Sequence, residues 1–597
     1  SIYYALGLVA GYALGLTPIV FLITGAFFYC TAATYAEATA MFPEAGGSSS
    51  FARRAFNELW SFLAAWAQML NYVVTVAISA FFVPHYLGGV FEPLEFLQES
   101  PGDILFGMGV IGVLSAINVV GVEESAGLNI ALAVVDFFTQ VLLVAVGAAL
   151  VLSPDTLVQN VDFGVAPAWG DFLLAIPIGM IAYTGIETIS NMAEEAKDES
   201  RTIPAAIGRV RLAVFAIYFT LPAIALSALP VVRNDEGEYV TPLGLSEEEG
   251  GFAGDPILGV VKAINLGPLQ GATELYVGLL AATILFIATN AGLIGVSRLV
   301  YSMGIYRQVP DRLRQLHPRY GTPWIGILAF GAVACLILLP GQADFLGLMY
   351  AFGAMLSFSI AHLALIRLRM VEPDHARPYK GPGNVRFRGR EWPVFAVVGL
   401  AGTGGAFLVT VVLYVDVSIV GTAWLLLGLL VYVVYRRAQG LDLTSTAKVV
   451  VPQPVTEREA EYASVLVAYH HAHFIPDPIR TAIKLASQRR RGIDVLVTIT
   501  VPASSPIGAS LPEAESAAQA IIEQAKLIGG RRVSGHWEKV RAGQAGRLIV
   551  NEAKEMRAAA IVLPLPPRRG TSLFDATVET ILAERPCRVI VERPPLS

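Results

Sequence analysis

Between Ser1 and about Arg437 the chain alternates long apolar runs with short polar gaps. Twelve runs stand out: 1–13, 18–42, 57–87, 103–122, 126–152, 171–194, 207–231, 271–302, 323–340, 344–367, 392–415 and 417–436. A run of about 20 apolar residues is enough for an α-helix to cross the hydrocarbon of a bilayer. The pattern therefore predicts an all-α polytopic membrane domain of twelve helices, the first of them partial. The chain opens inside an apolar, helix-like segment, so residues preceding Ser1 are expected.

The gaps fall into two alternating sets. One holds Arg53 and Arg54, Lys197 and Arg201, Arg307, Arg312, Arg314 and Arg319, and the run Arg367 to Arg390. The other is acidic, with Glu92, Glu95, Glu99, Asp155, Asp162, Asp235, Glu236, Glu238 and Glu247 to Glu249, and only Arg233 and Lys262 as bases. Basic gaps face the cytoplasm. The chain beyond Arg436 and Arg437 then lies on that side too, in a plasma-membrane protein.

After residue 461 the period changes. Short apolar runs at Ala463–Tyr469, Asp494–Val501, Ala558–Leu563 and Val589–Val591 alternate with helical patterns at Pro478–Arg490, Glu513–Ile528 and Gly546–Met556. Strands alternating with helices predict a doubly wound α/β domain. The expected division is membrane domain 1–438, linker 439–461 and soluble tail 462–597.

Composition narrows the function. Hydrophobic residues make up 54% and charged residues 15%, too apolar for a soluble protein of this size, and the net charge of −6 argues against nucleic acid as a partner. Cys30, Cys335 and Cys587 are far apart, which predicts neither disulfides nor a zinc site. No nucleophile–base arrangement suggests an enzyme, and no cofactor is called for.

Charge inside the apolar runs is scarce. Asp136 and Glu187 read as the two carboxylates at depth. A charge there is costly and faces a polar cavity or a partner, so each is a candidate for proton or cation coupling; a carboxyl tethering helices is the alternative. The run around Glu187 is also interrupted by Ile176-Pro177-Ile178-Gly179 and Ala182-Tyr183-Thr184-Gly185. Unwound backbone at membrane depth is tolerated where it lines a cavity and offers carbonyls and amides to a ligand; a simple kink is the other reading.

Three motifs carry a resemblance. They are Tyr35-Ala36-Glu37 with Phe42-Pro43-Glu44-Ala45-Gly46-Gly47-Ser48 and Phe51-Ala52-Arg53-Arg54; Tyr183 to Ser190 with Arg201-Thr202-Ile203-Pro204; and Asn290-Ala291, Ser297-Arg298 and Tyr301-Ser302-Met303. In this order they resemble the amino acid–polyamine–organocation (APC) transporters over about Ser1–Arg437. The resemblance implies a LeuT-like fold of two inverted five-helix repeats, each opening with a discontinuous helix. It puts Ser1, Ile2, Tyr3 and Tyr4 at the break of the first helix, where amides bind a substrate carboxylate. Carbonyls of Ile181, Ala182, Tyr183 and Thr184 would take an ammonium or cation, and Tyr183 would gate the site or merely pack. Asp136 stands near where proton-coupled relatives carry a lysine. Asn71 stands where potassium-uptake branches have an acid.

The tail resembles the universal stress protein fold, most closely at Pro586-Cys587-Arg588-Val589-Ile590-Val591. Its phosphate loop is poor: Pro566 and Pro567 remove amide donors, leaving Arg568, Arg569, Gly570 and Thr571 as a weak nucleotide site. His470-His471-Ala472-His473 reads as a loop rather than a metal cluster. The arginines at 489–491 read as a solvated helix end, with anionic lipid as the sharper option.

The leading expectation is a secondary active transporter for amino acids or related amines, coupled to a proton or cation, with a tail that regulates or dimerises it. The alternative is inorganic cation uptake, potassium above all, with Tyr4, Asn71 and Glu187 near the ion and a tail that senses a nucleotide.

Overall fold

The structure is a computed structural model and describes residues 2–42, 44, 46–121, 126–191, 199–387, 390–449, 465–470, 473–487, 492–565 and 574–592. Ser1 and the nucleotide candidates Arg568, Arg569, Gly570 and Thr571 lie outside the described residues, as do His471 and the arginines at 489–491. The chain forms two compact units: 1–120 with 124–315 and 323–448, and 449–597 with 121–123 and 316–322.

The larger unit is helical. Its long helices are α1 (Ile2–Ala13), α2 (Thr17–Met41), then after the short α3 (Ser48–Ala55), α4 (Glu58–Gly88), α5 (Gly102–Val120) and α6 (Ala126–Leu150). The short α7 (Pro154–Val158) precedes α8 (Trp169–Ile181), α9 (Ile186–Asn191) and α10 (Glu199–Ala228). A short hairpin of β1 (Val232–Arg233) and β2 (Tyr239–Val240) and the short α11 (Pro256–Ala263) lead to α12 (Gln270–Ile305), α13 (Trp324–Leu338) and α14 (Ala343–Val371). A second hairpin, β3 (Asn384–Phe387) and β4 (Arg390–Pro393), is followed by α15 (Val394–Leu413) and α16 (Val415–Ala438).

Among the described residues, ten helical stretches are long and apolar enough to cross a membrane; the first joins α1 to α2, and α13 is a shorter apolar helix. Each of the twelve expected runs thus holds a helix. The apolar windows of α4 and α14 are 94% and 89% buried within the chain, against 11% for α6 and 22% for α16. So α4 and α14 form the centre, while α6 and α16 leave apolar side chains such as Phe138 and Leu430 for lipid.

The first part of the expected linker is held onto this unit. The fully buried Arg436 donates to the carbonyls of Asp442 and Ser445, and Tyr432 Oη donates to the Leu443 carbonyl at 2.7 Å.

The smaller unit is a parallel sheet with helices on both faces. Its elements are β5 (Val465–Tyr469), α17 (Asp477–Ser487), β6 (Ile493–Thr500), α18 (Pro512–Gly529), β7 (Val533–Val540), α19 (Ala545–Glu555), β8 (Ala560–Pro564), α20 (Ala576–Glu584) and β9 (Arg588–Glu592). The strand order is β7-β6-β5-β8-β9, all parallel. Side chains alternate across the sheet. Val465, Val467 and Tyr469 pack with α17 and α18, whereas Leu466 and Ala468 pack with α19 and Ile581 of α20. β7 was not among the expected strands: its Val-Ser-Gly-His-Trp-Glu-Lys-Val sequence lacks a continuous apolar run because it is an edge strand.

Candidate substrate and coupling site

The interruption of the 171–194 run is a true break, sited at Ala182–Gly185 rather than at Pro177, which lies inside α8. Gly185 takes φ +118°, a conformation open to glycine and strained for other residues. The turn closes on itself: Tyr183 N donates to Met180 O at 3.2 Å, Thr184 N to Ile181 O at 3.2 Å, and Thr184 Oγ1 to Ile181 O at 2.8 Å. Thr184 Oγ1 also meets Tyr350 Oη of α14 at 2.5 Å.

Glu187, in the first turn of α9, folds its carboxylate back over this turn. Oε2 accepts from Gly185 N at 2.9 Å and Oε1 accepts from Asn71 Nδ2 of α4 at 3.2 Å. Among the described residues no lysine or arginine comes within ion-pair distance of it. The buried Asn71 Oδ1 has no hydrogen-bond partner. Two sequence candidates from different helices, Asn71 and Glu187, are therefore one polar unit.

Asp136 and Tyr3 form another. Tyr3 Oη donates to Asp136 Oδ1, Gln140 Nε2 donates to Oδ2 at 2.9 Å, and Tyr86 Oη donates to the Tyr3 carbonyl at 2.6 Å. Tyr3 is buried and Asp136 half-buried. Asn71 and Tyr86 lie about four turns apart on α4, on the order of 20 Å at 1.5 Å per residue. Among the described residues no hydrogen bond between side chains joins the two units directly.

The remaining candidates are buried around these units. Ile2, Ile181 and Ala182 lie in the helical core. Tyr4 stacks on Phe82 with ring centroids 5.3 Å apart. Tyr183 points at α2, donating to Phe21 O at 2.7 Å and packing on Phe28 and Tyr218.

Two features escaped the sequence reading. Asp136 and Glu187 are not alone among the carboxylates of the apolar runs: Glu37 and Glu58 are fully buried. Both sit near helix ends, where a carboxylate reads as belonging to a gap. The second is a chain of polar side chains beyond the break. Tyr72 Oη accepts from Asn191 Nδ2 at 2.7 Å and Gln68 Nε2 at 3.2 Å, Ser48 Oγ donates to Gln68 Oε1 at 3.0 Å, and Ser48 meets Ser357 at 2.8 Å. Ser48 ends the Gly46-Gly47-Ser48 motif, which was the one available signal.

In the tail, His470 Nε2 lies 2.6 Å from Asp575 Oδ2, so an acid does stand beside the histidine run, brought there by the fold. Asp575 also caps α20, accepting from Val578 N at 2.8 Å.

The family described as amino acid permease matches residues 1–435. The branched-chain amino acid permease BcaP of Bacillus subtilis is 25% identical over 437 residues, covering 71% of this chain and 86% of that protein. The methylthioribose transporter of the same organism is 25% identical, covering 74% and 90%. The low-affinity putrescine importer PlaP of Escherichia coli is 24% identical, covering 61% and 76%. A manganese transporter structure from Eremococcus coleocola aligns with TM-score 0.43 and 10% identity, covering 73% of this chain and 90% of that one.

Proposed function

The chain belongs to the amino acid permease family, and on that premise we propose that it is a secondary active transporter of amino acids or related amines, coupled to a proton or cation. The observation that carries the coupling reading is Glu187: a buried carboxylate at a helix break, held by amide donors and, among the described residues, without a cation at ion-pair distance. Such a group can take up a proton, an inorganic cation or a substrate ammonium, and release it when the surrounding helices move. The relatives' names, a branched-chain amino acid permease and a putrescine importer, support small amino acids and amines as the substrate class.

In this reading α1, α2, α4, α5 and α6 form one repeat and α8–α9, α10, α12, α13 and α14 its inverted copy, with α8–α9 as a discontinuous opening helix. Ser1, Ile2, Tyr3 and Tyr4 meet the substrate carboxylate, and the turn at Ile181–Thr184 the opposite charge. Asp136 is the second titrating group. The tail is a cytoplasmic regulatory module of the universal stress type; its strand order supports this, as do the basic gaps on the side where α16 ends.

Uptake into proteoliposomes under an imposed inward proton gradient tests the proposal, with labelled amino acids and putrescine offered beside a potassium tracer. Accumulation of an organic solute that collapses with the gradient is expected. Potassium uptake with no organic solute transported would overturn the substrate assignment in favour of inorganic cation uptake.

A further inference from the structure

Away from the membrane unit, three chemistry-bearing side chains converge on one face of the tail's sheet. Asp494 lies on β6, His536 on the edge strand β7 and Glu552 on α19, which covers that face. The register explains the convergence. Asp494 pairs with Ser534 and Leu496 with His536, so Asp494 and His536 are diagonal neighbours on the side opposite Trp537. Each residue offers one donor atom, and the three atoms all lie within 4.8 Å of one another.

His536 Nδ1 is 3.6 Å from Asp494 Oδ2, while Nε2 is 4.0 Å from Glu552 Oε1 and 3.9 Å from Oε1 of Glu538. These gaps exceed hydrogen-bond length. His536 is only 7% exposed, and its Nε2 has no hydrogen-bond partner. Nor has Oγ1 of the buried Thr498, which pairs with Glu538 across the strands. Burying an imidazole nitrogen unpaired is costly.

We propose that Asp494, His536 and Glu552, with Glu538 at the more open side, bind a divalent transition-metal ion. Donors around an ion at about 2.0–2.1 Å stand roughly 3.3 Å from one another, so the three donor atoms, within 4.8 Å of one another, close onto an ion by side-chain movement. Ser534 Oγ, which donates to Asp494 Oδ1 at 2.9 Å, orients that carboxylate from outside the cluster. The donor set chooses the class of ion. An imidazole nitrogen among carboxylates suits Zn²⁺, Mn²⁺ or Co²⁺ over the all-oxygen sites of Mg²⁺ and Ca²⁺, and no thiolate is present to favour Cu(I). Bound there, the ion would pin the edge strand to α19. The inference is independent of the transport reading.

The test uses the purified full chain in detergent, stripped with chelator and dialysed against Zn²⁺, with Co²⁺ absorption as a second readout. One tightly held Zn²⁺ per chain is expected, together with a rise in melting temperature on its addition. His536→Gln and Glu552→Gln should each weaken binding by about 10- to 100-fold. His473→Gln, at an exposed histidine outside the cluster, should change nothing. Should His536→Gln fail to fold, Glu552→Gln, on the part-exposed face of a helix, still decides the matter. Zn²⁺ binding that is absent, or unaffected by Glu552→Gln, would overturn the proposal.

Discussion

Glu37 and Glu187 are both buried in the membrane unit, at 0% and 2% exposure, yet their surroundings differ in kind. Glu37 ends the spanning part of α2 and meets Arg369 of α14 in two parallel hydrogen bonds of 2.7 Å each; Gly381 N adds a third at 2.8 Å, and Arg377 stands 3.6 Å away. Among the described residues, Glu187 meets amide donors and no cation. A planar guanidinium facing a carboxylate neutralises it and fixes both groups in one geometry. Amide donors stabilise the carboxylate without cancelling its charge. The first arrangement locks two helices together, and the second leaves a charge available to something mobile. A search for functional carboxylates by burial alone would treat the two alike.

The hardest blow to this contrast is Glu37→Gln. It takes from the buried Arg369 its two-bond partner, leaving Glu391 at 3.8 Å, and breaking a buried pair from one side costs about 3–5 kcal/mol. Loss of folded protein by size-exclusion chromatography and a large fall in melting temperature are expected. Replacing both partners, as in Glu37→Gln with Arg369→Met, should recover most of the loss. A Glu37→Gln protein that melts like the wild type would mean that the pair is not a lock.

Asp136 falls between the two cases, held by a phenol and a side-chain amide rather than by a cation. Asp136→Asn should abolish gradient-driven accumulation in proteoliposomes while leaving substrate binding largely intact, because Tyr3 and Gln140 can still bond an amide. Tyr3→Phe should retain transport with a shifted pH profile. Wild-type accumulation and pH dependence in Asp136→Asn would remove Asp136 from the coupling machinery.

Glu187→Gln is gentler on the fold and specific to transport. The glutamine carbonyl can still accept one of the two amide donors, so the melting temperature should move little. A hydrogen bond to a charged group is worth about 1.5–3 kcal/mol, so the initial uptake rate should fall by about 10- to 100-fold. Asn71→Asp would set a second carboxylate against the first. Transport should then become more strongly pH-dependent. If Glu187→Gln destabilises the protein as much as Glu37→Gln does, the distinction between locked and available carboxylates fails.

The spans were legible because a membrane imposes about 20 apolar residues per crossing and sorts basic gaps to one side. The break near Glu187 was legible at one of the two places the sequence offered: the chain unwinds at Ala182–Gly185, where Gly185 takes positive φ, while Pro177 and Gly179 lie within α8. The Asn71–Glu187 and Tyr3–Asp136 pairs depend on which helices touch, and the apolar period says nothing of that. The Asp494–His536–Glu552 cluster was invisible for the same reason, in sharper form. Its members lie on three different elements, one of them the strand that the sequence did not disclose.

The smallest predicted effect concerns a carboxylate with neither lock nor amide. Asp255, just before α11, is buried, its Oδ1 has no hydrogen-bond partner, and its side chain does not cap the helix. Burial first, and then the nearby Glu247 carboxylate, push its carboxyl well above the usual range, with Lys262 opposing. The folded state therefore holds this proton more tightly than the unfolded chain, whose aspartate titrates near about 3.9. Asp255 contributes its full stability below that value and loses the contribution as pH rises through the raised folded value. Melting temperatures in detergent at pH values between about 4 and 8 should show the wild type declining toward neutral pH relative to Asp255→Asn, whose amide cannot ionise. Parallel curves for the two proteins would mean that Asp255 finds a compensating partner, and would return it to the class of Glu37.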